Sequence, residues 1–476
     1  MNFARDVVDA ADPGRLALVE LRRDESRAEW TFGRVAAESA GLAGTLAGLG
    51  IGRGQRVLTL IGNRPEWVLA MVACFRIGAV VVPCNEQLRA ADLRLRLEVA
   101  RPAVILADER NAAQLAAAEP DCPVLWCGDP ELYAGARPAA VELDPGDPCL
   151  IVFTSGTAGE PKAVLHGQRY LAGQELQARS WLGARRGELV WCTAASGWSK
   201  SARNVFVAPW LCGARALLHD GRFDPAERLE LAARERVNVL CMAPTEYRLI
   251  AARATIPRLP DLTGMVAAGE ALNPEVLRAW EEATGGSIRD GYGQTETGQL
   301  TAMPLGEPVR PGSMGRALPG VRLWVDDGEL VADPRTVPTF FLNYVGEPPP
   351  SGPWRTGDRV TEDADGYLHF EGRTDDLIIS AGYRIGPFEV ESALVGHPAV
   401  AEAAVVAFPD LERGSIVRAV VVLRAGYRPS AGLAEALQRH CRDVTAPYKY
   451  PRIVDFVDAL PTTPSGKIRR AELRRG

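Results

Sequence analysis

Phe153-Thr-Ser-Gly-Thr-Ala-Gly-Glu-Pro-Lys-Ala163 is the stretch around which the chain is organised. The apolar block Cys149-Leu-Ile-Val-Phe153 before it has the length and composition of a buried strand. Val164, Leu165 and His166 follow, and then a more helical pattern. A strand therefore feeds a loop of small and hydroxylated residues. Gly156 and Gly159 free backbone amides to turn towards a ligand. Thr154, Ser155 and Thr157 add hydroxyls, and Lys162 adds one positive charge. Oriented amides and an ammonium suit a polyphosphate. No Gly-Lys-Ser or Gly-Lys-Thr closes the loop, so it is not a Walker loop. Alone, such a segment reads as a surface turn; what gives it meaning lies further along the chain.

Thr154 to Lys162 resembles the phosphate loop of the adenylate-forming superfamily of acyl-CoA synthetases, peptide-synthetase adenylation domains and luciferases. The family pattern has Thr where this chain has Ala158, which removes one hydroxyl contact to phosphate, and usually Gly at Ala163.

Composition fits an ordinary soluble globular protein. The chain has 476 residues, 47% hydrophobic and 24% charged, with a net charge of -6. That length implies two or more domains, and the charge gives no basic excess for a nucleic-acid partner. The nine cysteines form no Cys-x-x-Cys and the five histidines no His-Glu-x-x-His, which argues against structural zinc. Scattered thiols in odd number fit a reducing cytoplasm. Met1 to Asp9 carries early acid and no apolar core, so a signal peptide is not expected. The most apolar stretch, Val68 to Cys84, is broken by Arg76 and falls short of a membrane span.

Up to the phosphate loop the pattern alternates. Glu29–Phe32 reads as a strand edge before a helix reaching Leu49, closed by Gly50 and Gly52. Gln55–Ile61 is an expected strand, Pro65–Ile77 a helix, Ala79–Pro83 a strand, Ala90–Val99 a helix and Ala103–Ala107 a strand. Such alternation implies α/β architecture with mainly parallel sheets flanked by helices, and the pattern recurs beyond the loop. Gly346 to Pro353 reads as a surface loop.

Three further segments strengthen the resemblance. In Ser196-Gly-Trp-Ser-Lys-Ser201, with Ala208-Pro-Trp-Leu-Cys-Gly213 downstream, Trp198 is similar to the acyl-pocket side of acetyl- and medium-chain acyl-CoA synthetases. A flat indole wall suits an apolar chain or ring. Core packing stays open for Trp198 and is the better account of Phe206. In Val266-Ala-Ala-Gly-Glu-Ala-Leu272 the resemblance implies backbone beside adenine at Gly269, Glu270 and Ala271. Ala268 stands in place of a family glycine, its methyl crowding the acyl pocket or the base. A strand end with a helix cap is the plain alternative. Asp290-Gly-Tyr-Gly-Gln-Thr-Glu-Thr-Gly298 is similar to the adenine and magnesium segment. Gly291 and Gly293 let the backbone approach a flat ligand, Tyr292 can stack on a purine, Thr295 can donate to phosphate, and Glu296 is a hard oxygen ligand for Mg²⁺. Acetyl-CoA synthetases hold Trp at the position of Gly293, so glycine implies room for a chain longer than acetate or propionate.

The C-terminal motifs complete the set. Asp358, in Trp354-Arg-Thr-Gly-Asp358, resembles the aspartate that accepts both ribose hydroxyls. Arg373-Thr-Asp-Asp376 resembles the family hinge: Arg373 reaches ribose or phosphate, and Asp375 is the pivot. The expected domains are 1–374, binding ATP and acid, and 375–476, a small mobile α+β domain. Leu377 to Glu391 is similar to medium-chain acyl-CoA synthetases, which implies Gly382 and Tyr383 beside CoA and Arg384 near the phosphates. Lys467, in Pro464-Ser-Gly-Lys467, matches the adenylation lysine.

The resemblance covers the chain from about Trp30 to Arg475 and implies a cytoplasmic, AMP-forming acyl-CoA synthetase. Its substrates are ATP, CoA and a medium-chain or aromatic acid, with Mg²⁺ as cofactor; a homodimer is the commonest closed form. Two rival readings are an acyl-AMP ligase that loads a carrier protein and a catalytically silent nucleotide or acyl-AMP binder. Retention of Lys467, Glu296 and Asp358 argues against the silent binder.

Overall fold

The computed structural model describes all residues except 155–160, 270, 271, 273, 375, 377, 381, 382, 447, 463–467, 475 and 476; the side chain of Arg384 is likewise not described. Two seven-stranded sheets dominate the first three quarters of the chain. One runs, edge to edge, Ile288–Gly291, Gly264–Ala268, Val239–Met242, Leu189–Cys192, Arg215–His219, Leu16–Leu21 and Arg27–Thr31. All its neighbours are parallel except the last pair, a hairpin. The other runs Asn343–Tyr344, Ala163–Gly167, Pro148–Phe153, Val80–Cys84, Arg56–Leu60, Val104–Ala107 and Val124–Trp126. The central strands of this sheet, Val80–Cys84, Arg56–Leu60 and Val104–Ala107, are rich in Val, Ile and Leu because both faces are covered.

Helix Pro65–Ile77 shows how local rules and packing agree. Proline opens it, Glu66 sits in its first turn, and Gly78 ends it with φ +73°. All but one of its residues are buried, and its one basic residue, Arg76, bonds Asp9 at 2.6 Å. The apolar stretch spanning Val68 to Cys84 is thus this helix and the next strand, and no helix among the described residues is long and apolar enough to cross a membrane.

The phosphate-loop strand does not lead directly to a helix. It turns back: Pro148–Phe153 pairs antiparallel with Ala163–Gly167, closing on Phe153 opposite Ala163. Helix Arg169–Gln177 comes only afterwards. The loop is therefore a hairpin tip. Ala163 is a buried strand residue there, and its methyl packs in the apolar cluster that contains Phe153.

A four-stranded antiparallel sheet follows: Leu323–Asp326, Glu329–Ala332, Trp354–Glu362 and Leu368–Arg373. Beyond it, Val400–Asp410, Gly414–Leu423 and Ile453–Phe456 form a three-stranded sheet. Helices Pro387–Val395 and Ala431–Val444 pack with this sheet around a separate apolar core that includes Val390, Leu394, Val405, Val421 and Leu437.

Candidate active site

One cavity of about 2230 Å³ opens where the C-terminal ends of the first sheet, the phosphate hairpin, the four-stranded sheet and the C-terminal helices converge. Ligands of parallel α/β sheets sit at such strand ends. Trp198, Ala268, Gly269 and the run from Asp290 to Gly293 line it. So do Thr154, Lys162, Thr295, Glu296, Asp358 and Arg373.

The most heavily hydrogen-bonded wall surrounds Asp358, a 4% exposed carboxylate. Strand Trp354–Glu362 presents it opposite Arg373 of the neighbouring strand. The Tyr292 hydroxyl donates to Oδ2 of Asp358, and Gln294 Nε2 donates to the same oxygen at 3.0 Å. Gln294 also donates to the Thr356 carbonyl at 2.7 Å and accepts from the Trp354 indole at 3.0 Å. Arg373 approaches Oδ1 at 3.4 Å. Burial first, and then the Asp358 charge, hold the Tyr292 phenol well above its usual pKa, so it stays a donor. The carboxylate is fixed in a single orientation before any ligand arrives.

The phosphate side is more open. Thr154 and Lys162 close the base of the hairpin tip: Thr154 N–H donates to the Lys162 carbonyl at 2.9 Å, and Lys162 N–H to Thr154 Oγ1 at 3.0 Å. The Lys162 ammonium lies 4.5 Å from the centre of the Tyr344 ring. The Tyr344 hydroxyl in turn donates to Glu296 Oε1 at 2.8 Å. Magnesium is usually held by one or two carboxylates together with substrate phosphates. A single tethered carboxylate beside Thr295 fits that pattern, and no group of three or more metal-ligating side chains occurs among the described residues.

On the far side Gly197 adopts φ +89°, and a Cβ there would lie 2.3 Å from Asn85 N; this turn sets Trp198 in the cavity wall. Helix Ser199–Asn204 follows, and Lys200 donates to the carbonyls of Met242 and, at 3.3 Å, Ala268. Asp290 stands nearby. Burial pushes its carboxyl up to about 8, opposed by the Gly291 amide and the Lys200 charge.

Several expectations need correction. Phe206 does not line the cavity; it is fully buried, edge-on to Trp67 at 5.7 Å and packed with Phe3 and Trp210. The glycines Gly291 and Gly293 line the cavity and are also demanded by the protein's own packing. A Cβ on Gly291 would lie 2.3 Å from Gln299 Nε2, and one on Gly293 would lie 2.0 Å from the Gly298 carbonyl oxygen. Gly293 is thus required by its hairpin, and its lack of a side chain is no measure of acyl room. Tyr292 spends its hydroxyl on Asp358 and packs partly against core residues. Tyr383 lies outside the cavity lining, stacked on Tyr448 with ring centres 4.4 Å apart. Ser155, Gly156, Thr157, Gly159, Glu270, Ala271, Asp375, Gly382, Lys467 and the side chain of Arg384 lie outside the described residues. Sequence reasoning missed Gln294, Tyr344, Trp354 and Lys200 as site residues; Gln294, Trp354 and Lys200 stand inside the motifs that mark the site, whereas Tyr344 stands outside them.

Comparison with known proteins agrees with this geometry. The family model of AMP-binding enzymes matches residues 5–338, and that of the AMP-binding enzyme C-terminal domain matches 389–467. The chain belongs to the AMP-binding enzymes. It is 38% identical to the uncharacterized acyl-CoA ligase YtcI of Bacillus subtilis, over 96% of this chain and 92% of that protein. It is also 38% identical to human mitochondrial acyl-coenzyme A synthetase ACSM4, over 99% and 90%. Among solved structures, the anthranilate CoA ligase AuaEII in complex with anthranoyl-AMP superposes with a TM-score of 0.91 at 28% identity, covering 99% of this chain and 96% of that one. This AMP-binding enzyme is an AMP-forming acid–CoA ligase, with ATP and CoA as substrates.

Proposed function

We propose that the enzyme activates a medium-chain or aromatic carboxylic acid in two half-reactions, with the cavity residues in the following roles. Asp358, fixed by Tyr292 and Gln294, accepts the two ribose hydroxyls of ATP. Gly269 and the Asp290–Tyr292 backbone flank the adenine. Thr154, Lys162, Thr295 and the loop residues between hold the phosphates. Glu296 holds Mg²⁺, which when bound offsets charge on the phosphates. The acid's own carboxylate attacks the α-phosphate, so the protein needs no nucleophile; it supplies position and charge neutralisation. Lys467 stabilises the leaving pyrophosphate. Residues 375–476 then rotate about Asp375, bringing Gly382 in so that the CoA thiol attacks the acyl carbon of acyl-AMP and releases AMP.

The observation that carries this reading is the pre-oriented Asp358 carboxylate in the same cavity wall as Thr154, Lys162, Thr295 and Glu296. The acid class rests on similarity to an acyl-coenzyme A synthetase and to an anthranilate CoA ligase. The test is Lys467→Ala. Acid-dependent pyrophosphate release should disappear, while thioester formation from supplied acyl-AMP and CoA persists. Equal loss of both half-reactions overturns the two-conformation mechanism. In the unaltered enzyme, release that stalls near one turnover despite CoA would point to a carrier-protein acceptor.

A further inference from the structure

Helix Ser199–Asn204 carries a second cation, Arg203, three residues after Lys200 and on the same cavity wall. Arg203 is 5% exposed. Its Nε and NH1 are shut off from solvent without a hydrogen-bond partner, and no carboxylate pairs with it among the described residues. Proteins seldom leave a guanidinium so: a buried charge costs several kcal/mol unless an opposite charge or full hydrogen bonding offsets it.

Its neighbours do not supply that offset. Fully buried His166 and Tyr170 both lie within reach of its charge, and His166 is pushed down to about 3 by burial and by Arg203, so it stays neutral. The Tyr170 and Ser199 hydroxyls, both buried, face each other, and only Ser199 of the two residues lines the cavity. Of the acids on this side, Glu246 is engaged by Thr193 and by Arg228 at 3.5 Å. Asp290, raised towards 8, is largely protonated at neutral pH. Lys200 is spent on two carbonyls. The acyl end of the cavity therefore keeps a net positive charge and unused donors, which a purely apolar acyl chain would leave unpaired.

We infer that the acid substrate carries a second anionic group, as a dicarboxylic acid does, and that Arg203 of the cavity wall binds it. This rests on the acyl-activating reading above and narrows its substrate class. A site built around a polar group rejects the analogue that lacks it, because the site's own groups are then left unpaired.

The experiment compares α,ω-dicarboxylic acids and phthalate-type aromatic diacids with monocarboxylic acids of matching size. It uses pyrophosphate release for the wild-type enzyme, Arg203→Met and Arg203→Lys. The best diacid should exceed its monoacid counterpart in kcat/KM by about 10- to 100-fold, the range of a hydrogen bond to a charged group. Arg203→Met should erase or invert that ratio, and Arg203→Lys should keep part of it. Calorimetric titration of the best-binding diacid without ATP provides a readout independent of turnover: binding to the wild type, lost in Arg203→Met. Methionine relieves a buried charge at similar volume, so a thermal melt should show the variant folded. Three results overturn the inference: monoacids preferred by the wild type, an unchanged ratio in Arg203→Met, or equal loss for every acid. The last would assign the guanidinium to the reacting carboxylate or the phosphates. Pyrophosphate release with no acid at all would overturn acyl activation instead, while the titration would still read Arg203.

Discussion

The two ends of the cavity are built on opposite plans. Around Asp358 every polar group has a partner: phenol, amide, indole and carbonyl form a closed circuit. Around Arg203, donors are buried and unmatched. A satisfied network costs little to fold and holds a fixed ligand feature, such as a ribose present in every turnover. An unsatisfied one subtracts from stability until its ligand arrives, which suits the component that must be selected. The difference teaches where this protein keeps its constants and where its specificity.

Four changes would break or sharpen that contrast. Asp358→Ala has the largest expected effect, because it removes the proposed ribose acceptor and orphans Tyr292 and Gln294 together. The kcat/KM for ATP should fall by about 100-fold or more; a fall below fivefold would mean the circuit is scaffolding only. Gly293→Ala drives a methyl into the Gly298 carbonyl and should cost roughly 1–3 kcal/mol by overpacking, read as a lower denaturant midpoint. An unchanged midpoint with a shortened acyl range would restore Gly293 as a pocket residue. Tyr344→Phe removes the tether on Glu296, worth about 1 kcal/mol. The Mg²⁺ concentration for half-maximal activity should rise about fivefold, with little change in acid preference. Asp290→Asn acts on stability alone, and only through pH. The Asp290 carboxyl is raised from 3.8 to about 8 in the fold. Its ionisation therefore opposes folding increasingly as pH climbs from about 4 to 8, and contributes nothing below. The variant should melt a few degrees higher than wild type at pH 8 and about equal to it near pH 4; a constant gap would exclude Asp290 as the cause.

Much of the first half was legible from local signals. Helix Pro65–Ile77 appears with the bounds its proline and its apolar run announced, and strands Arg56–Leu60, Val80–Cys84 and Val104–Ala107 fall within a residue of their expected ends. The antiparallel return of Ala163–Gly167 was not legible, because nothing in Val164-Leu-His166 distinguishes a strand paired backwards from a lead into a helix. Nor was the four-stranded sheet, two of whose strands, Leu323–Asp326 and Glu329–Ala332, are only four residues long. The cavity shows the same limit. Thr154, Glu296 and Asp358 stand out inside motifs. Tyr344 and Trp354 matter only through partners 48 and 60 residues away. Arg203 shows its character by what fails to touch it, which no local pattern encodes.

The register between strands Trp354–Glu362 and Leu368–Arg373 sets Asp358 directly across from Arg373, a separation of about 5 Å between backbones. Only Thr374 lies between that arginine and Asp375. If Asp358 holds the ribose as proposed, a pull on it reaches the start of the C-terminal segment through one rung of a β-ladder, like a gear tooth meshed beside its axle. On the proposed mechanism, the nucleotide being cleaved is geared to the very pivot that ends its own half-reaction.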